Sequence, residues 1–144
     1  MTYLNINQFT EADAFVKENI EKYGKENVTF VGHSLGGGLA EYYAVQYDAD
    51  AITFASADVY DLLSDEQKKN VKNGVYRDKI ISYTYPDDIV GSWYDEAIGS
   101  TYYMSDPYEN NRKTLSTHGI DKNFNDKSLF NKNGYYLPEM FMAN

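Results

Sequence analysis

The chain has 144 residues, 42% of them hydrophobic and 16% aromatic, so it can bury one core and is not a disordered tail. Its 13 basic and 22 acidic residues leave a net charge of −9, which argues against a nucleic-acid footprint and against electrostatic docking on an anionic membrane. There is no cysteine, which excludes disulfides, a thiolate nucleophile and a zinc site built on sulfur.

The opening Met1–Asn7 lacks the basic start and apolar run of a signal peptide. No stretch approaches the roughly 20 apolar residues of a membrane span, so no transmembrane segment is expected. Location stays open between the cytosol and export by a signal-independent route. Thr10, with Asp13 three residues on, reads as a helix start. Phe9, Ala12, Val16, Ile20 and Tyr23 then recur at helical spacing, and Gly24 closes the helix. A β-branched and aromatic strand over 28–32 follows, then a helix to about Tyr47. Asp48-Ala49-Asp50 turns the chain into a second strand over 51–55. Both strands lack polar alternation, as strands covered on two faces of a parallel sheet do.

Val59, Tyr60, Leu62 and Leu63 read equally as a small lid over a cleft or as a simple connection. They lead to a short polar helix that opens at Ser64–Gln67 and ends near Asn73-Gly74. A third strand over 79–85 is stopped by Pro86, and a fourth is expected over 100–104. Trp93, Tyr94, Tyr102, Tyr103 and Met104 suit an acyl pocket or core packing, with packing the default. From Asp106 the chain turns polar and asparagine-rich, with Asn133-Gly134 as a late turn. Asp121–Asp126 imitates a calcium loop, but Asp126 stands where glycine is required and Lys132 where glutamate is. A solvated turn is the reading, and no metal or cofactor is expected. Strands alternating with helices make this one α/β domain over 1–144, a mostly parallel sheet flanked by helices.

The chemistry is concentrated in Gly32-His33-Ser34-Leu35-Gly36, between the first strand and its helix. Gly-x-Ser-x-Gly in that setting forces the serine onto a sharp, exposed turn, and the glycines on either side are expected to let strand and helix approach. The helix start aims free N–H groups at the reacting centre, and the Leu35 N–H is the expected oxyanion donor. A serine nucleophile needs an imidazole base and a carboxylate to orient it. Only two histidines exist; His33 adjoins Ser34 and is expected to point elsewhere, which leaves His118. The acid belongs just past a strand end, between serine and histidine in order. Asp87 and Asp88 both qualify, with Asp58 and Asp61 as rivals after the second strand.

Gly-His-Ser-Leu-Gly-Gly-Gly-Leu-Ala, Ile52-Thr53-Phe54-Ala55-Ser56 and Asp87-Asp88-Ile89-Val90 together resemble the class 3 (fungal-type) lipase domain and its bacterial relatives, over about residues 25–120. The resemblance implies a partial α/β-hydrolase fold, Asp88 as the triad acid beside Ser34 and His118, and an ester-hydrolysing activity on a glyceride, a phospholipid or a short acyl ester. Ala55-Ser56-Ala57 stands where that family has Gly-Ser-Pro. The family also carries a larger N-terminal half, with the loop that bears a second oxyanion donor. The resemblance therefore implies a catalytic C-terminal half, a truncated gene product or part of a longer polypeptide, with the nucleophile strand as an exposed sheet edge open to association. Such a chain would be a weak hydrolase, or an inactive lipase-like module that binds or forms part of a larger polypeptide.

Overall fold

The computed structural model describes residues 6–92, 96–104, 118–120, 124 and 141–142. Four strands, β1 (Thr29–His33), β2 (Asp50–Phe54), β3 (Ile80–Thr84) and β4 (Ser100–Tyr103), lie side by side in chain order. All four are parallel, and β5 (Phe141–Met142) adds antiparallel to β4. The expected α/β layering, a mostly parallel sheet flanked by helices, is the observed one.

Helix α1 spans Ile6–Tyr23, α2 Leu35–Tyr47 and α3 Asp65–Lys72. Helix α1 corrects one expectation, because Thr10 lies inside it rather than at its start. The apolar recurrence from Phe9 to Ile20 marks the packed face of a helix, with Tyr23 exposed beyond it, and that face need not begin at the first turn. Asp13 does not close a capping box there. Its Oδ1 lies 2.5 Å from the Tyr43 hydroxyl, which is also 3.0 Å from the Phe9 carbonyl, so one α2 side chain ties α1 down. Helix α3 starts as its sequence predicts. Ser64 Oγ accepts from the Gln67 N–H, and Gln67 Oε1 accepts from the Ser64 N–H, a reciprocal capping box.

Period-two alternation divides the strand side chains between two apolar clusters. On one face Ala51 and Ile80 meet Ala44 and Val45 of α2 and Val71 of α3. Val59 and Leu63 are buried in the same cluster with Tyr60 packed against it, whereas Leu62 is exposed, so this stretch is anchored to the core as a connection would be. On the other face Ala55, Tyr83, Tyr85, Met104 and Phe124 pack together, with Phe54 and Tyr102 against them. Met104 is thereby a core residue, whereas Trp93 and Tyr94 lie outside the described residues. So do Asn133 and Gly134, and all of Asp121–Asp126 except Phe124.

Beneath α2 the buried Glu41 carboxylate accepts from Thr53 Oγ1 at 2.7 Å, beside the buried hydroxyls of Ser56 and Ser82. Burial pushes the Glu41 carboxyl up to about 7, partly offset by those hydroxyls. At the opposite end of the sheet from Ser34, Asp48 caps α2 in the left-handed conformation and binds Lys25 at 2.9 Å and Lys79 at 2.5 Å. Among the described residues no helix is long and apolar enough to cross a membrane.

Candidate active site

Ser34 sits between β1 and α2 with φ 56° and ψ −122°. That is a conformation a non-glycine residue adopts only when its surroundings impose it, at a cost of about 1–3 kcal/mol. Here the surroundings are explicit. The Ser34 N–H donates to the Phe54 carbonyl at 3.0 Å, and the Ser34 carbonyl accepts from the N–H groups of Gly38 (3.1 Å) and Ala57 (3.0 Å). Strand β2, its exit loop and the first turn of α2 thus clamp the peptide units on both sides of Ser34.

The glycines divide this work unevenly. A Cβ on Gly32 would collide with the Gly36 carbonyl, and one on Gly37 would meet Ser56 Cα at 3.0 Å. One on Gly36 would meet nothing within 4 Å. Close approach therefore depends on Gly32, Gly37 and Gly38, whose Cβ would lie 2.8 Å from the Ala57 carbonyl oxygen, and the motif's second glycine does not share in it, contrary to expectation. Ala55 takes φ 47°, a left-handed conformation that favours glycine, at the position where the resemblance expects one. The Leu35 N–H is the first of α2, among the four donors a helix leaves without an internal acceptor.

Asp88 is fully buried just beyond β3. Its N–H donates to the Tyr85 carbonyl at 3.0 Å, and its Oδ1 accepts from the N–H groups of Val90 (2.9 Å) and Gly91 (3.2 Å). Ser92 Oγ donates to the Asp88 carbonyl at 2.5 Å. This self-bonded turn fixes the carboxylate from below, as Asx turns do. Asp87 is exposed. Asp58 accepts from the Tyr60 N–H at 2.9 Å as a turn cap, and Asp61 is exposed, so neither rival acid joins the cluster.

His118 completes the arrangement. Its Nδ1 lies 3.1 and 3.0 Å from the two Asp88 oxygens, and its Nε2 lies 2.7 Å from Ser34 Oγ. A carboxylate only accepts, so Nδ1 carries the hydrogen, and in the neutral ring the Nε2 lone pair then faces the serine hydroxyl. Three segments far apart in sequence thus meet in one hydrogen-bonded line.

Two members of the site were not legible as such. His33 does not point elsewhere: its Nε2 lies 2.6 Å from the His118 carbonyl, and the two rings are 5.0 Å apart. Strand alternation held the signal, since a Gly32 side facing α2 leaves the next side chain on the opposite face. Phe124 is buried against Phe54 (5.2 Å), Tyr85 (5.6 Å) and His33 (6.3 Å), in a stretch that reads as a polar turn. Among the described residues no three His, Asp or Glu side chains group as metal ligands.

A family model for the Tle-like phospholipase domain, a phospholipase-like family, matches residues 4–122. The chain belongs to that family. No curated protein and no solved structure matches it significantly. As a Tle-like phospholipase domain it is a lipase-type hydrolase domain at the level of the family. The match runs through the elbow, the acid turn and His118, so Ser34, Asp88 and His118 all fall inside the family's span.

Proposed function

We propose that the chain, as one lipase-like domain over 1–144, hydrolyses carboxylic esters with Ser34 as nucleophile, His118 as general base and acid, and Asp88 as its orienting carboxylate. The observation that carries the reading is the unbroken line from Ser34 Oγ through His118 to the buried Asp88. His118 Nε2 takes the hydroxyl proton as Oγ attacks the ester carbonyl, and the Leu35 N–H donates to the oxyanion. The proton passes to the departing alcohol, leaving an acyl-serine. Water, deprotonated by the same Nε2, releases the acid and restores Ser34. Asp88 stabilises the imidazolium at each stage without taking the proton.

The substrate class follows the family: a phospholipid or another lipid ester, with short acyl esters as surrogates. Within lipases, the Gly-His-Ser-Leu-Gly-Gly elbow and the Asp-Asp-Ile-Val turn favour a class 3 type. A second reading, a lipase-like fold kept as a binding module, draws on β1 standing at the sheet edge among the described strands. Fatty-acid release from phosphatidylcholine vesicles and from p-nitrophenyl esters separates the two. The enzyme reading expects release that Ser34→Ala lowers by at least roughly a thousandfold. Release no greater than that of Ser34→Ala supports the module.

A further inference from the structure

We propose that His33 is a positioning residue, which holds the main chain of His118 over the nucleophile by donating its Nε2 hydrogen to the His118 carbonyl. The inference rests on the triad reading above and concerns a side chain that the triad does not use.

The contact is 2.6 Å long. A carbonyl oxygen can only accept, so Nε2 of His33 carries the hydrogen in this contact. The geometry follows from the strand. His33 is the last residue of β1 and pairs with Phe54 of β2, while Gly32 before it lies against the Gly36 backbone at the start of α2. Alternation sends the His33 side chain to the opposite face, where Phe124 packs 6.3 Å from its ring. There the ring has an apolar neighbour and a polar tip within reach of the 118 backbone.

The consequence is mechanical. His118 is 84 residues from Ser34 in sequence, and its side chain touches the triad only through two ring nitrogens. Side-chain bonds alone do not fix where its carbonyl lies. His33 fixes that backbone, and His33 is joined by one peptide bond to Ser34. Elbow and base therefore move as one body, which holds the distance between Oγ and Nε2 near 2.7 Å. Small errors in such a distance are costly in rate.

Two substitutions separate the donor from the ring. His33→Phe keeps the ring against His118 and Phe124 and deletes the donor, whereas His33→Gln returns an N–H at similar reach. The readouts are the rate of Ser34 labelling by a fluorophosphonate, the split of kcat and KM on a soluble ester, and the low-field proton signal of His118 Nδ1. His33→Phe is expected to slow labelling and kcat roughly tenfold, the scale of one net hydrogen bond, with KM unchanged and the His118 signal broadened. His33→Gln is expected to regain most of the rate and the sharp signal, at a thermal midpoint like that of His33→Phe. Wild-type rates in His33→Phe, or equal losses in both variants, overturn the proposal, because the donor then does nothing that the ring or the fold does not. Wild-type labelling that His118→Ala leaves unchanged overturns instead the triad reading. The His118 proton signal in the two His33 variants then still decides the contact on its own.

Discussion

His118 Nδ1 reaches both oxygens of Asp88, at 3.1 and 3.0 Å, while Asp88 itself has no solvent exposure. The carboxylate is also held by two backbone N–H groups of its own turn, so its orientation does not depend on the histidine. It is a fixed support against which the imidazole is aligned.

That arrangement makes Asp88→Asn a test of chemistry more than of folding. An amide can present its N–H to Nδ1, which favours the tautomer with hydrogen on Nε2 and removes the lone pair facing Ser34. The expected loss in kcat on a soluble ester is roughly 10³–10⁴-fold. Asp87→Asn should stay within about twofold of wild type, as its side chain is exposed and outside the cluster. Equal effects of the two substitutions would remove Asp88 from its role.

Glu41 gives a pH dependence of known sign. Its folded carboxyl is raised from 4.5 to about 7, so the folded state binds the proton more tightly than the unfolded one. Stability from this group is full below about pH 4.5 and falls as pH rises to about 7, by an amount on the order of 3 kcal/mol. Glu41→Gln keeps a partner for Thr53 and removes the titration. Denaturant melts should therefore show the variant gaining on wild type between pH 5 and pH 8. A difference independent of pH would contradict the cause assigned here.

The two motif glycines should respond oppositely. Gly32→Ala drives a methyl group into the Gly36 backbone and should cost about 3 kcal/mol or prevent folding. Gly36→Ala meets open space in the first turn of α2 and should be neutral, or stabilising by up to about 1 kcal/mol, through helix propensity. Thermal midpoints of the two variants decide the matter.

Asp48 lies between two lysines and is half exposed. Hydrogen bonds from Lys79 and then Lys25 hold its carboxyl below the ordinary value. Its contribution is present at neutral pH and disappears as pH falls through that lowered value. Solvent screening keeps it small. Asp48→Asn, which still tolerates the left-handed cap, should cost less than about 1 kcal/mol at pH 7 and nothing measurable in about 1 M salt. A larger loss that survives salt would point to packing.

Much of this was legible because local chemistry and tertiary structure agree. Strands 28–32 and 51–55 lack polar alternation and are neighbours in the parallel sheet, and Ser64 with Gln67 closes the capping box that starts α3. The ambiguity between Asp87 and Asp88 is not resolvable from two adjacent carboxylates, since a turn decides which one is buried. The roles of His33 and Phe124 are not legible in the sequence for a related reason. Each acts through a contact with a segment distant in sequence, and neither belongs to a motif that announces it. Thr10 misled because a polar residue beside an apolar run signals a helix start only when the helix begins there.

The most direct measurement is covalent labelling of the purified chain with a fluorophosphonate, with the modified residue mapped by mass spectrometry. A Ser34 activated by His118 and Asp88 predicts a single adduct on Ser34, absent in Ser34→Ala and slowed at least roughly a thousandfold in His118→Ala. No adduct on Ser34, or one formed at the same rate without His118, would contradict it.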